Sequence, residues 1–159
     1  MPSVRPVLVH CSFTKILDSY IEKGDKKLRG LVEDKLRILS LADNLSGQLV
    51  HLRQERAKWL YDIFLRVDLR KGGRRLFCLK WPVRTRNADV REIILPFFIT
   101  SERDDVDYSD MRPYFPHAEC ICDAFRRGRQ DEFQVWLYDG TRLVVKPLDV
   151  WPFLAHKSE

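Results

Sequence analysis

Two runs rich in aromatic and β-branched residues meet at Arg70-Lys71-Gly72-Gly73, and this constrains the fold more than any other feature of the sequence. Trp59 to Leu69 approaches the turn, and Arg74-Arg75-Leu76-Phe77-Cys78-Leu79-Lys80-Trp81 returns from it. Alternation is clear from Phe64 onward, with Arg66, Asp68 and Arg70 on one parity. Paired glycines supply the positive φ that a tight hairpin needs. A strand pair with this much apolar surface must pack against further strands and helices.

The surrounding sequence provides them. Residues 4–11 read as a first strand, with Pro6 confining its start to an edge or terminus. Ile16, Leu17, Tyr20 and Ile21 have helical spacing, capped from Ser12 or Thr14 and broken at Gly24-Asp25. A second helix over 26–41 carries Leu28, Leu31, Val32, Leu36 and Leu39. Asn44 and Gly47 mark the turn after it, and residues 48–58 fit a strand or a helical turn. Pro82 ends the returning strand. Val90 to Ile99 forms a central strand with Pro96 as a bulge or break, and residues 100–116 read as a loop. A helix over 117–128 stops at Gly128. A last hairpin turns on Asp139-Gly140 between Phe133–Tyr138 and Arg142–Val145, and Trp151 and Phe153 dock the tail. The expected fold is α/β of the α+β type. A small, mainly antiparallel sheet carries an N-terminal helical pair, a C-terminal helix and a second hairpin. At 159 residues and 45% hydrophobic content the chain makes one domain with its own core.

Charge is unevenly spread. Residues 1–99 hold 20 Lys/Arg against 11 Asp/Glu, net +9, while residues 100–123 hold 2 against 7, net −5. Eight bases fall within residues 66–86, with Asp68 the sole acid among them. A sheet face of this sign suits phosphate, because arginine binds it bidentately and also steadies charge developing on a phosphoryl oxygen. The same cluster reads equally as a solvated hairpin with core aromatics. Arg66, Arg70, Lys71, Arg84 and Arg86 are the nucleic-acid-binding candidates. His51 and His117 are within reach as proton acceptors, whereas His10 and His156 read as structural or solvated.

Several chemistries find no support. Walker, Gly-x-Gly-x-x-Gly, His-Glu-x-x-His and Gly-x-Ser-x-Gly patterns are absent. Asp104, Asp105, Asp107 and Asp110 miss the EF-hand spacing and read as a solvated acidic loop or one that covers the basic face. His117, Cys120 and Cys122 miss the usual zinc spacing and read as a helix start with two half-buried thiols. Cys11 and Cys78 read as core. No metal or cofactor is expected. With no apolar run near the roughly 20 residues of a spanning helix and no secretory leader, the expected setting is cytoplasmic, with no membrane partner.

The hairpin Lys58–Val67, Gly72-Gly73, Arg74-Arg75-Leu76-Phe77, the helix over Leu28–Leu41, and the strand Ile93–Thr100 with its polar exit Ser101–Val106 together resemble the RelE/ParE toxin superfamily over residues 13–110. The resemblance implies a strand, a helical pair and an antiparallel sheet. It implies a metal-independent endoribonuclease, with 2′-OH attack leaving a 2′,3′-cyclic phosphate, and RNA, the ribosome and a small antitoxin protein as partners. By position it implies Arg74 or Arg75 as the hairpin arginine, Arg103 as the base ending the core strand and Tyr108 as the nearby hydroxyl. Lys80 joins them as a further catalytic candidate. The alternative is a non-catalytic nucleic-acid- or protein-binding module on the same fold, including a gyrase-directed toxin. Residues 117–159 are an extension that the resemblance does not cover.

Overall fold

The computed structural model describes residues 4–43, 45, 64–69, 74–85, 90–101, 112–146 and 153–154, with side chains at 83–85, 90–91 and 153–154 left aside. Strand β1 (Val7–His10) leads into helices α1 (Cys11–Glu22) and α2 (Leu28–Leu41). Strands β2 (Phe64–Asp68), β3 (Arg75–Thr85) and β4 (Val90–Ile99) follow. Helix α3 (Phe115–Arg126), strands β5 (Phe133–Tyr138) and β6 (Leu143–Lys146), and the two-residue β7 (Phe153–Leu154) complete the chain. The fold is α/β. Its sheet runs β2-β3-β4-β1-β5-β6, with β7 pairing to β3. Every pairing is antiparallel except β1 with β4.

Both faces of the sheet are covered. Helices α1 and α2 bring Phe13, Leu17, Leu28, Val32, Leu36 and Leu39 onto Val7, Val9, Leu76, Cys78 and Ile94. Helix α3 brings Phe115, Ala118, Ile121, Cys122 and Phe125 onto Leu8, Phe77, Leu79, Ile93, Leu95 and Phe97. The apolar positions of α3 recur at helical spacing, and the strand residues alternate between faces with period two. A sheet buried on both sides needs both patterns at once.

Several expectations shift in detail. Helix α1 begins at Cys11, because the His10 side chain caps it by accepting the Ser12 N–H at 3.1 Å. Cys11 is therefore exposed at a helix start and does not fill core. Strand β1 lies inside the sheet, between β4 and β5. Pro6 precedes it, and the Pro6 carbonyl accepts from Ile94 N–H at 2.9 Å. Strand β3 continues through Pro82, opposite Glu92, to Thr85. Among the described residues β2 pairs with β3 only as far as Leu79 and β7 only at Arg84 and Thr85, so little cross-strand bonding rests on Pro82.

The bulge expected near Pro96 is present. Phe77 pairs with Phe98 and Cys78 with Pro96, leaving Phe97 as the extra residue. It resets the alternation of β4, so that Phe97 and Phe98 both pack on the α3 side and Ile99 turns to the other. Gly128, at φ +68°, closes α3 in the left-handed conformation. The β5–β6 turn is longer than two residues, and Asp139 Oδ1 accepts from the N–H groups of Thr141 and Arg142, each at 2.9 Å. The Gly72-Gly73 turn, Asn44, Gly47, residues 48–58 and Trp151 lie outside the described residues.

Candidate nucleic-acid interface

Arg74 immediately precedes β3, on the face covered by α1 and α2. Its Nε donates to Asp25 Oδ2 at 3.0 Å and its Nη1 to the Thr100 carbonyl at 3.3 Å. The guanidinium lies 3.8 Å from the centre of the Tyr20 ring, whose hydroxyl donates to the Ile99 carbonyl at 3.3 Å. Arg74 and Asp25 side chains are 11% and 12% exposed, so this pair is largely desolvated. Arg74 thus fastens the α1–α2 turn to the sheet.

That turn is basic. It folds back through Gly24 at φ +113°, a conformation open to glycine, and Asp25 N–H donates to the Tyr20 carbonyl at 3.1 Å. Asp25 points inward to Arg74, while Lys23, Lys26 and Lys27 stay exposed. With Arg74 and Ser101 they line a groove of about 570 Å³. Among the described residues none of the three lysines has a carboxylate at ion-pair distance. The first turn of α2, which starts here, holds no acidic residue, so the positive end of its dipole adds to the lysines.

The hairpin candidates divide. Arg75 sits on the opposite face from Arg74, with Nε donating to Asp68 Oδ1 at 3.0 Å on the surface. Arg66 is exposed on that same face, diagonally across from Arg75 in the β2–β3 register. Lys80 shares the face of Arg74 but lies six residues, roughly 20 Å, along the strand. Its Nζ is 3.3 Å from Glu92 Oε2, and Glu92 Oε1 accepts from Arg5 Nε at 3.2 Å. Arg74, Arg75 and Lys80 therefore do not converge. Arg84 belongs to β3 by its backbone. Arg70, Lys71, Arg86, Arg103, Tyr108, His51, His156 and the acidic stretch 102–110 lie outside the described residues.

On the α3 side, among the described residues, the aromatic rings of Phe64, Phe97 and Tyr114 surround Phe77 at 5.2, 6.1 and 5.1 Å and leave no open phosphate site beside it. His117 packs 4.6 Å from the Phe98 ring, and burial lowers its pKa. Cys120 and Cys122 point to different sides of α3, one exposed and one buried, so with His117 they make no ligand set. Three groupings were not read from sequence. Lys23, Lys26 and Lys27 form a compact basic run, Lys-Gly-Asp-Lys-Lys, outside the basic hairpin of residues 66–86. Arg126 stacks 5.0 Å from the Trp81 ring, across 45 positions of chain. His10 meets Glu132 at 3.1 Å across the β1–β5 pairing.

No family model matches the chain, and neither a curated protein nor a solved structure matches it. Among the described residues no helix is long and apolar enough to cross a membrane.

Proposed function

We propose that this chain is a nucleic-acid-binding module that grips backbone phosphates with the basic end of its sheet and helices. One observation carries the proposal: Lys23, Lys26 and Lys27 line a single groove beside Arg74, at the end of β3 nearest the hairpin turn. Lysines contribute phosphate contact as mobile point charges. Arg75, paired with Asp68, and Arg66 lie on the other side of the same sheet end. Binding of this kind is electrostatic and needs no converging catalytic set. Arg74 acts as scaffold, since a guanidinium held by Asp25, Thr100 and Tyr20 is not free to meet a phosphate.

A second reading, the metal-independent endoribonuclease toxin acting on RNA with ribosome and antitoxin partners, is favoured by one observation. Among the described residues the order is β1-α1-α2-β2-β3-β4, the order such a reading expects. Against it, its expected residues Arg74, Arg75 and Lys80 do not converge, and Arg103 and Tyr108 lie outside the described residues. The two readings separate in one experiment. Purified protein is incubated with labelled RNA in EDTA, with and without ribosomes, and both bound and cleaved RNA are measured. The module binds RNA and leaves it intact. Cleavage in EDTA that disappears in the Arg75→Ala/Lys80→Ala variant would replace the binding module with the nuclease.

A further inference from the structure

At the far end of α1 from the lysine groove, three metal-type donors meet. His10 ends β1 and is 3% exposed. Cys11 opens α1 and is exposed. Glu132 reaches them from the short 3-10 turn Gln130–Glu132, just before β5. The register places His10 opposite Phe133, which fixes Glu132 beside the imidazole. Nε2 of His10 lies 3.1 Å from Glu132 Oε1 and 3.9 Å from Cys11 Sγ, and the three donor atoms all fall within 4.8 Å of one another. Among the described residues no other such group occurs.

We infer that His10, Cys11 and Glu132 form a zinc-type divalent metal site with an open fourth position. Imidazole, thiolate and carboxylate are all ligands that zinc accepts, at about 2.0–2.3 Å each. A tetrahedral ion with such bonds needs donor separations of about 3 to 4 Å; His10 Nε2 has both its partners at that range, and Cys11 Sγ, which lies 4.0 Å from Nδ1 as well, completes the set by a side-chain rotation. Three protein ligands leave one position to water. Exposed Cys11 gives the entry path, and the Phe133 ring, 4.9 Å away edge-on, holds the imidazole in place.

The proton arrangement specifies what the metal replaces. Ser12 N–H donates to His10 Nδ1, so Nδ1 is an acceptor and Nε2 carries the proton that Glu132 Oε1 accepts. A metal takes the position of that shared proton. The imidazole proton moves to Nδ1, where Ser12 Oγ, 2.7 Å away, accepts it, as outer hydrogen bonds commonly orient metal-bound histidine. The thiol proton of Cys11 is released to solvent, so one proton leaves per metal bound. Two terms oppose binding. Ser12 N–H loses its acceptor, and Arg129 Nη1, 3.6 Å from Glu132 Oε2, competes for the carboxylate. The site is therefore one of moderate affinity.

The test is a titration of the chelator-stripped, reduced full chain with Co²⁺, followed by displacement with Zn²⁺. The expected result is one equivalent of cobalt with a near-ultraviolet thiolate-to-metal charge-transfer band that zinc abolishes. Cys11→Ser should remove the band, Glu132→Gln should weaken binding about tenfold or more, and Cys120→Ser should leave both unchanged. Cys11→Ser and Glu132→Gln alter side chains at the surface or half-buried, and an unchanged far-ultraviolet circular dichroism spectrum verifies that they fold. Absence of the band in the folded wild-type chain, or its persistence in Cys11→Ser, would overturn the site.

Discussion

Replacing Arg74 by alanine separates scaffold from site. The substitution removes a guanidinium held by Asp25, by the Thr100 carbonyl and by the face of Tyr20. Both members of the ion pair are about nine-tenths buried. Removing one partner of a buried pair costs about 3–5 kcal/mol, mostly because the other charge stays in a poor environment. A domain of this size is stable by about 5–15 kcal/mol, so Arg74→Ala should give up about a fifth of that or more. With a urea slope of about 2 kcal/mol/M, a loss of about 4 kcal/mol lowers the midpoint by about 2 M. Changing both partners, Arg74→Met with Asp25→Asn, removes the stranded charge and should recover at least about 2 kcal/mol. The assay is equilibrium urea unfolding followed by tryptophan fluorescence, with Asp25→Asn alone completing the cycle. An Arg74→Ala protein that unfolds at the wild-type midpoint yet no longer binds nucleic acid would refute the scaffold role and make Arg74 a contact residue.

Other outcomes follow from the packing. Phe77→Ala opens a cavity among Phe64, Phe97 and Tyr114 and should cost about 3–5 kcal/mol by the same unfolding assay. Gly24→Ala meets no atom within 4 Å but forces an L residue to φ +113°. It should cost about 1–3 kcal/mol, seen as a lower melting temperature. A thiol reagent should modify Cys11 and Cys120 in the native protein, and Cys78 and Cys122 only after unfolding; fast labelling of all four without denaturant would contradict the buried assignment. Burial pushes the Cys78 thiol above its ordinary range and that of Cys122 from 9.0 up to about 12. The unfolded chain releases these protons from about pH 9 while the fold retains them, so stability falls as pH rises from about 9 to 12. A urea midpoint that holds steady or rises across that window would contradict it.

Much of the architecture was legible because periodicity reports burial directly. Leu28, Val32, Leu36 and Leu39 mark one helical stripe, and Leu76 to Trp81 mark a strand buried on both faces. Gly128 marked a helix end because only its freedom of φ suits the left-handed stop. Pro96 marked a bulge, but not its consequence, the turning of both Phe97 and Phe98 to one side. Pro82 misled, since proline weakens a strand only where its missing N–H is required. Cys11 misled because a capping histidine looks like any other polar residue in sequence. The site was less legible for a single reason. Arg74 and Arg75 are adjacent in the chain and therefore on opposite faces of the sheet, and a count of charges along a hairpin does not register that. The lysines that share the groove come from the turn between two helices, some 50 positions earlier. Distance in sequence likewise hid Arg126 over Trp81 and Glu132 beside His10.

The most direct test of the central claim is the salt dependence of nucleic-acid binding. Fluorescence polarisation with single-stranded RNA and with duplex DNA, in EDTA, would be run from low to moderate salt on the wild type and on Lys23→Ala/Lys26→Ala/Lys27→Ala. Each phosphate contact contributes a slope of about −0.7 for single strands and about −0.9 for duplex in log K against log salt. Loss of three lysine contacts should therefore flatten the slope by about 2 on RNA or by about 2.7 on DNA, and weaken binding at low salt. A triple variant that is folded and binds with the wild-type slope and affinity would contradict the account, because the groove would then hold no phosphate.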